Sequence, residues 1–337
     1  MMKQTLNSSS HLKALQAHFS TRLFFSTMTT LVLLVGLAAQ SAFAQSYRPR
    51  ADYDGDSHSN LAVFRPDEGN WYIKSEWFET TIIRNWGNAD DRIVPGDYDG
   101  DAVTDFAVWR MSEGNWYIIQ SSKDHAVLEN LGTEGDIPVP EDYDGDGRTD
   151  VAVFRPSEAR WIVKTSSGAL RGGVFGESTD LPVLGDFTGD TVADLAVYRP
   201  STGFWLITDS ATNQQIVRQW GTDGDQPVPA DYDGDGRQDI AVFRPSEANW
   251  YIIGSKTNTA VVRNWGDASD VPVPGDYDAD LKADIAVWRP SEGKWYIVIS
   301  ANNFVVVEAW GTKGDVPVQS AYLPANEKGQ SSFFNTK

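Results

Sequence analysis

The sequence predicts an all-β protein, a β-propeller of six blades with four antiparallel strands each. Three observations predict it. Beyond residue 50 the chain repeats itself, with copies opening at Ala51, Gly96, Glu141, Gly185, Ala230 and Gly275, spaced 45, 45, 44, 45 and 45 residues apart. Each copy holds several strand-like segments divided by turn formers, and each opens on an Asp-rich loop. So regular a period marks a repeat architecture, and several short strands in one 45-residue unit match a propeller blade better than a sandwich or a solenoid coil.

The elements follow in chain order. Met1 to Gln45 carries Lys3, Lys13 and Arg22 with no acidic residue, then the apolar run Leu31–Ala39, then Ala42-Phe43-Ala44. This is the pattern of a secretory signal peptide, too short in its apolar run to span a bilayer, with cleavage expected after Ala44. Residues 1–44 are therefore read as a leader, 45–322 as the propeller and 323–337 as a tail. The product is expected to be exported, secreted or held at the cell surface, with no membrane span after cleavage.

The clearest repeat runs from Ala230 as ADYDGDGRQDIAVFRPSEANWYIIGSKTNTAVVRNWGDASDVPVP. DIAVFRP, NWYIIGS and TAVVRNWG are rich in β-branched and aromatic residues and read as strands. A fourth, shorter strand is expected at DVPVP, where the prolines suit only an irregular or edge strand. The first of these strands is apolar on both faces, as a sheet sandwiched between two others requires. Its small residue recurs as Ala62, Ala107, Ala152, Ala196, Ala241 and Ala286, which lets strands crowd toward a central axis. The third strand is more polar and is placed outermost. Asp315 to Tyr322 begins a seventh copy and stops. It is read as a closing strand for the first blade, a role for which the stretch from Tyr47 to Asp52 competes, and it leaves a defective seventh blade as the alternative count.

Each acidic loop places Asp at alternate positions and one more carboxylate or amide four residues on. The sets are Asp52, Asp54, Asp56 and Asn60; Asp97, Asp99, Asp101 and Asp105; Asp142, Asp144, Asp146 and Asp150; Asp186, Thr188, Asp190 and Asp194; Asp231, Asp233, Asp235 and Asp239; and Asp276, Asp278, Asp280 and Asp284. Alternate carboxylates on a tight turn converge on one point, and oxygen-only ligands suit a hard cation, so these residues are expected to bind Ca2+ as several structural ions. An EF-hand is excluded, because its twelfth position needs a bidentate Glu and a strand residue stands there. With no Cys in the chain, disulfides and thiolate metal sites are excluded as well. The chain has 28 basic and 47 acidic residues, net −19; loss of the leader's three basic residues gives −22, and the loops hold 22 of the acidic residues. Bound divalent ions would relieve that repulsion. The same charge argues against a nucleic-acid partner and against adsorption to anionic lipid.

The motif ADYDGDGRQDIAVFRP resembles the FG-GAP/VCBS-type repeats of bacterial secreted proteins and, more distantly, the calcium-bearing blades of integrin α-subunit propellers. The resemblance covers Ala51 to about Tyr322. It implies calcium in interstrand loops with a structural role, and a general association with adhesion and with carbohydrate or protein binding. Thr188 and Asn60 depart from the motif.

Other residues recur in every copy. Arg65, Arg110, Arg155, Arg199, Arg244 and Arg289 end the first strand, with Glu68, Glu113, Glu158, Glu247 and Glu292 three residues on. Their regularity favours a clamp on neighbouring backbone or loops over a ring of ligand sites. Trp71, Trp116, Trp161, Trp205, Trp250 and Trp295 read as core between blades. Trp86, Trp220, Trp265 and Trp310, replaced by Leu131 and Phe175 in two copies, read as packing, with a sugar-stacking platform as the alternative. Irregular positions are Glu76 to Glu79 with Trp77, Arg171 to Gly173, and the fourth loop. The function expected is a binding or adhesion module for a glycan or an extracellular protein. A polysaccharide-active enzyme (glycosidase or lyase) and a purely structural assembly protein are the alternatives; no catalytic constellation is recognisable.

Overall fold

The computed structural model describes residues 50–75 and 80–324. The leader, Glu76 to Glu79 with Trp77, and the tail beyond Pro324 lie outside the described residues. Within them the chain forms six four-stranded antiparallel sheets, the six blades of a propeller. The second blade shows the plan. Its strands Arg92–Ile93, Phe106–Arg110, Asn115–Gln120 and His125–Asn130 pair in sequence order, each antiparallel to the last. The third, fourth, fifth and sixth blades repeat it from Ile137, Leu181, Gln226 and Val271.

Residue chemistry accounts for the order. The FAVWR-type strand is buried on both sides, because blades pack against each other through it; its alanines are fully buried. The NWYIIQ-type strand buries the indole and leaves the tyrosine side half-buried. The fourth strand in chain order shows only exposed and intermediate residues and forms the free outer edge. The strand nearest the axis is the short proline-bearing one rather than the alanine-bearing strand, which lies second. Proline lacks an N–H, so it is tolerated on a strand with an unpaired inner edge. Short strands of three successive blades, at Arg92, Ile137 and Pro182, line a common cavity on the axis.

Six apolar clusters each join two neighbouring blades and complete the ring. Trp71 and Ile73 of the first blade meet Ile93 and Val108 of the second. The cluster of Trp288 and Trp295 in the sixth takes in Leu61 and Val63 of the first. The C-terminal strand Val316–Pro317 pairs with Phe64 and Val63 and completes the first blade. The incomplete seventh copy is therefore a closing strand, and the count is six. A 3-10 turn, Val318–Tyr322, then carries the chain across the axis. There the Ala51 N–H donates to Tyr322 Oη at 3.2 Å, and the Gln319 side-chain amide donates to the Asn60 carbonyl. Arg50 stacks on the Tyr322 ring at 4.9 Å and donates to Glu141 at 2.8 Å and to the Leu184 carbonyl at 3.3 Å, tying the entry of the chain to the third and fourth blades. Among the described residues no helix is long and apolar enough to cross a membrane.

Candidate metal centres

The topology puts all six acidic loops at one end of the ring, each just ahead of its blade's second strand; in the second to sixth blades the loop connects that strand to the innermost one. Each loop folds around its first and last acidic positions. In the second blade Asp97 accepts the N–H groups of Gly100 at 2.6 Å and Ala102 at 2.9 Å, while Asp105 accepts those of Tyr98 at 2.8 Å and Ser121 at 2.7 Å. The turn needs a left-handed residue at its fourth position. Gly55, Gly100, Gly145, Gly189 and Gly234 supply it with φ of 73 to 84°, and in the sixth loop Ala279 accepts the same conformation at φ 56°. The sixth position is left-handed too, and there Thr191 and Leu281 hold φ of 70° and 68°, a conformation that strains such side chains.

The middle aspartate is the exception to this satisfaction. Asp54, Asp99, Asp144, Asp233 and Asp278 each keep one buried carboxylate oxygen with no hydrogen-bond partner. A buried anionic oxygen left unpaired is costly, and its recurrence at one motif position in five loops points to a partner of positive charge. The neighbouring carboxylates complete the donor set. One oxygen from each of Asp52, Asp54 and Asp56, of Asp97, Asp99 and Asp101, and of Asp142, Asp144 and Asp146 lies within 4.8 Å of the others. In the fifth and sixth blades the ninth position takes the place of the fifth, giving Asp231, Asp233 and Asp239, and Asp276, Asp278 and Asp284. Crowded, oxygen-only, partly dehydrated sets of this kind fit a hard divalent cation.

Their acidity is shifted accordingly. Burial, the leading cause, pushes Asp52 and Asp276 up to about 6 and Asp105, Asp150, Asp239 and Asp284 up to about 7; like charges in the loop add to it and backbone N–H donors oppose it.

The fourth loop differs. Thr188 replaces the middle aspartate and donates to Asp194 Oδ1 at 3.2 Å, and no carboxylate triad forms there among the described residues. In the first loop Asn60 accepts the Tyr53 N–H at 2.7 Å, as Asp105 accepts that of Tyr98, and turns its amide N–H toward Asp54 at 3.2 Å.

The loops are also joined to one another. The N–H of Ser59, Thr104, Thr149, Ala193, Gln238 and Ala283 donates to the carbonyl of the first aspartate in the preceding blade's loop, at 2.6 to 2.8 Å. Six such bonds close a circle, the last running from Ser59 to Asp276. Whatever fixes one loop therefore also fixes the docking point of the next blade.

Two sets of residues complete the picture and were not singled out from the sequence. Ser121, Ser166, Ser210, Ser255 and Ser300 each donate their backbone N–H to the ninth-position aspartate, and their hydroxyls turn to the fifth-position aspartate. The signal was a serine recurring sixteen residues after that aspartate. At the opposite end of each blade, the recurrent arginine meets a buried aspartate that precedes the innermost strand. Asp315, Asp91, Asp136, Asp180, Asp225 and Asp270 accept Nε and Nη2 of Arg65, Arg110, Arg155, Arg199, Arg244 and Arg289 as two parallel bonds of 2.7 to 3.0 Å. The arginines are thus clamps, and the glutamates three residues on are exposed secondary partners at 3.4 to 3.7 Å in the five copies that have one. The Arg65–Asp315 pair spans the ring closure.

The first tryptophan set is fully buried. The second is half-buried and donates its indole N–H to the next blade: Trp86 to Tyr117, Trp220 to Tyr251, Trp265 to Tyr296 and Trp310 to Tyr72, at 3.0 to 3.1 Å to the backbone carbonyl. These are cross-blade ties, in keeping with the packing reading.

Fold and loops together define a six-bladed β-propeller with acidic interstrand loops. No protein-family model matches the chain, and no curated protein matches it. Solved structures do resemble it. A catalytically inactive virginiamycin B lyase from Staphylococcus aureus in complex with quinupristin aligns over 82% of this chain and 87% of its own, with 10% identity and a TM-score of 0.50. A streptogramin B lyase aligns over 79% and 88%, with 9% identity and a TM-score of 0.50. A lectin of Agrocybe aegerita that recognises non-reducing terminal N-acetylglucosamine covers 78% of each chain at 14% identity and a TM-score of 0.49. At such identities the likeness is one of fold.

Proposed function

We propose that the protein is an exported calcium-binding propeller of the FG-GAP/VCBS type, acting as a binding or adhesion module for a glycan or a surface protein. The observation that carries the calcium reading is the unpaired, buried oxygen on the middle aspartate of five loops, set in each case among two further carboxylates. Extracellular calcium is plentiful enough to fill sites of moderate affinity, which accords with the leader-like residues 1–44. The module reading rests on the uniform spacing of the repeats: with copies of 44 or 45 residues, no blade carries an inserted segment around which an asymmetric active site would be built. Repeated weak contacts around a ring gain strength through multivalency.

Two measurements test it. Thermal unfolding in excess calcium and in excess chelator should differ by ten degrees or more on the scale of several linked sites, each adding about 2.7 kcal/mol at a hundredfold excess over its Kd. Identical melting curves would remove the calcium reading. A glycan array probed in calcium and in chelator should show calcium-dependent binding; an array blank in both, together with blank pull-downs from cell-surface extracts, would remove the module reading.

A further inference from the structure

We infer that the axial cavity of the propeller is a binding site for a small carboxylate, held by the Arg92 guanidinium and the Ile93 backbone N–H.

The cavity lies among the innermost strands of the second, third and fourth blades, and Leu323 and Pro324 of the crossing C-terminal segment form its remaining wall. Ile93, Ile137, Pro138 and Pro182 contribute apolar side chains to a lining of mixed polarity, and Arg92 is the one charged residue in it. Arg92 makes no hydrogen bond or ion pair with the described residues, unlike the six clamp arginines, each of which grips a buried aspartate. Burial draws its pKa down, with no carboxylate to oppose the effect. In a chain of net charge −19, an unpaired, half-buried guanidinium in an acid-free cavity is a conspicuous local positive field.

The neighbouring residue adds a donor that the other blades lack. Val94 donates to the Ala107 carbonyl at 2.9 Å and Asp105 to that of Gly96 at 2.7 Å, so alternate residues of this strand point their N–H and C=O toward the second strand. Ile93 lies between them, opposite Val108, and by the alternation of an antiparallel ladder its N–H points the other way, to the inner edge facing the axis. At this register the remaining blades carry Pro138, Pro182, Pro227, Pro272 and Pro317, which have no N–H to offer. Arg92 is equally singular: its counterparts are Ile137, Leu181, Gln226, Val271 and Val316. Two adjacent departures from a sixfold repeat thus place a forked cation and a backbone N–H beside one cavity.

A guanidinium fork and one N–H match a carboxylate's two oxygens, and the isoleucine and proline side chains beside them suit a short alkyl end. Size sets the limit. The cavity measures about 30 Å³, and a water needs on the order of 10–15 Å³ measured this way, so the space suits a ligand of a few heavy atoms.

The test is a titration of the full chain, in excess calcium and chloride-free buffer of constant ionic strength, with carbon-13-labelled acetate followed by NMR line broadening. Saturable binding is expected. Arg92→Leu, which installs the residue the fourth blade carries, should abolish it; Ile93→Pro, which installs the residue of the other five blades, should weaken it about threefold to tenfold, the worth of one hydrogen bond. Arg148→Gln, at an exposed arginine elsewhere, should leave it unchanged. If Arg92→Leu melts early, Arg92→Gln, the residue of the fifth blade, serves in its place. Absence of saturable binding, or binding indifferent to both Arg92 variants, overturns the proposal.

Discussion

The two ends of the propeller hold the same residue, aspartate, in buried positions and treat it in opposite ways. At one end Asp91 and its five counterparts, none more than 5% exposed, each meet an arginine through two parallel bonds. The protein supplies its own countercharge there. At the other end the loop aspartates meet chiefly backbone N–H groups, side-chain hydroxyls and one another, with no arginine or lysine paired to them among the described residues, and the middle one of five loops keeps an oxygen unmet. The difference teaches that burying a carboxylate is not by itself a sign of a site. What marks the loops is a deficit of positive charge that the fold leaves open, whereas the clamps are closed.

Breaking a clamp should have the largest effect of a single substitution. Arg65→Met leaves Asp315 buried without its partner at the ring closure and should lower stability by about 3 kcal/mol, read as a denaturant midpoint. The same change at Arg160, an exposed arginine paired only with exposed Glu158, should be near neutral.

The pH dependence sharpens the contrast. Loop carboxylates raised to about 6 or 7 in the folded chain sit above their ordinary range near 4. Their protonated form favours the fold, so that contribution is fully present below pH 4 and is lost as pH rises through 6 to 7. In chelator, the denaturant midpoint should therefore fall as pH rises from about 4 to 7. In excess calcium the ion favours the ionised form, and the fall should vanish or reverse; a parallel fall in both would show that the loops do not hold ions.

Smallest is the cross-blade indole bond. Trp220→Phe, which copies the Phe175 of the third blade, should lower stability by about 1 kcal/mol through loss of the bond to the Tyr251 carbonyl.

Much of this was legible in the sequence. The period fixed the number and order of strands, because a blade cannot bury its apolar faces without identical neighbours, and the Asp spacing marked the loops. Closure of the first blade by Val316–Pro317 was one of two readings, since strand pairing across 250 residues leaves no local mark. The arginine clamp was read with its nearest glutamate because that partner is three residues away. The true partner stands nineteen residues back in five blades, across a strand and a loop, and 250 residues ahead for Arg65, and only the fold brings it near. The serines behind each loop escaped for the same reason. The split among triads, with the fifth position in three loops and the ninth in two, depends on side-chain rotamers that spacing does not specify.

The most direct test of the central claim is the number of calcium ions retained per chain after desalting, measured by atomic emission on the wild type and on Thr188→Asp. Five ions are expected for the wild type, one for each carboxylate triad, and six for the variant, whose fourth loop gains the missing middle carboxylate. No retained calcium in either protein would contradict the account and leave the unpaired aspartate oxygens without a partner.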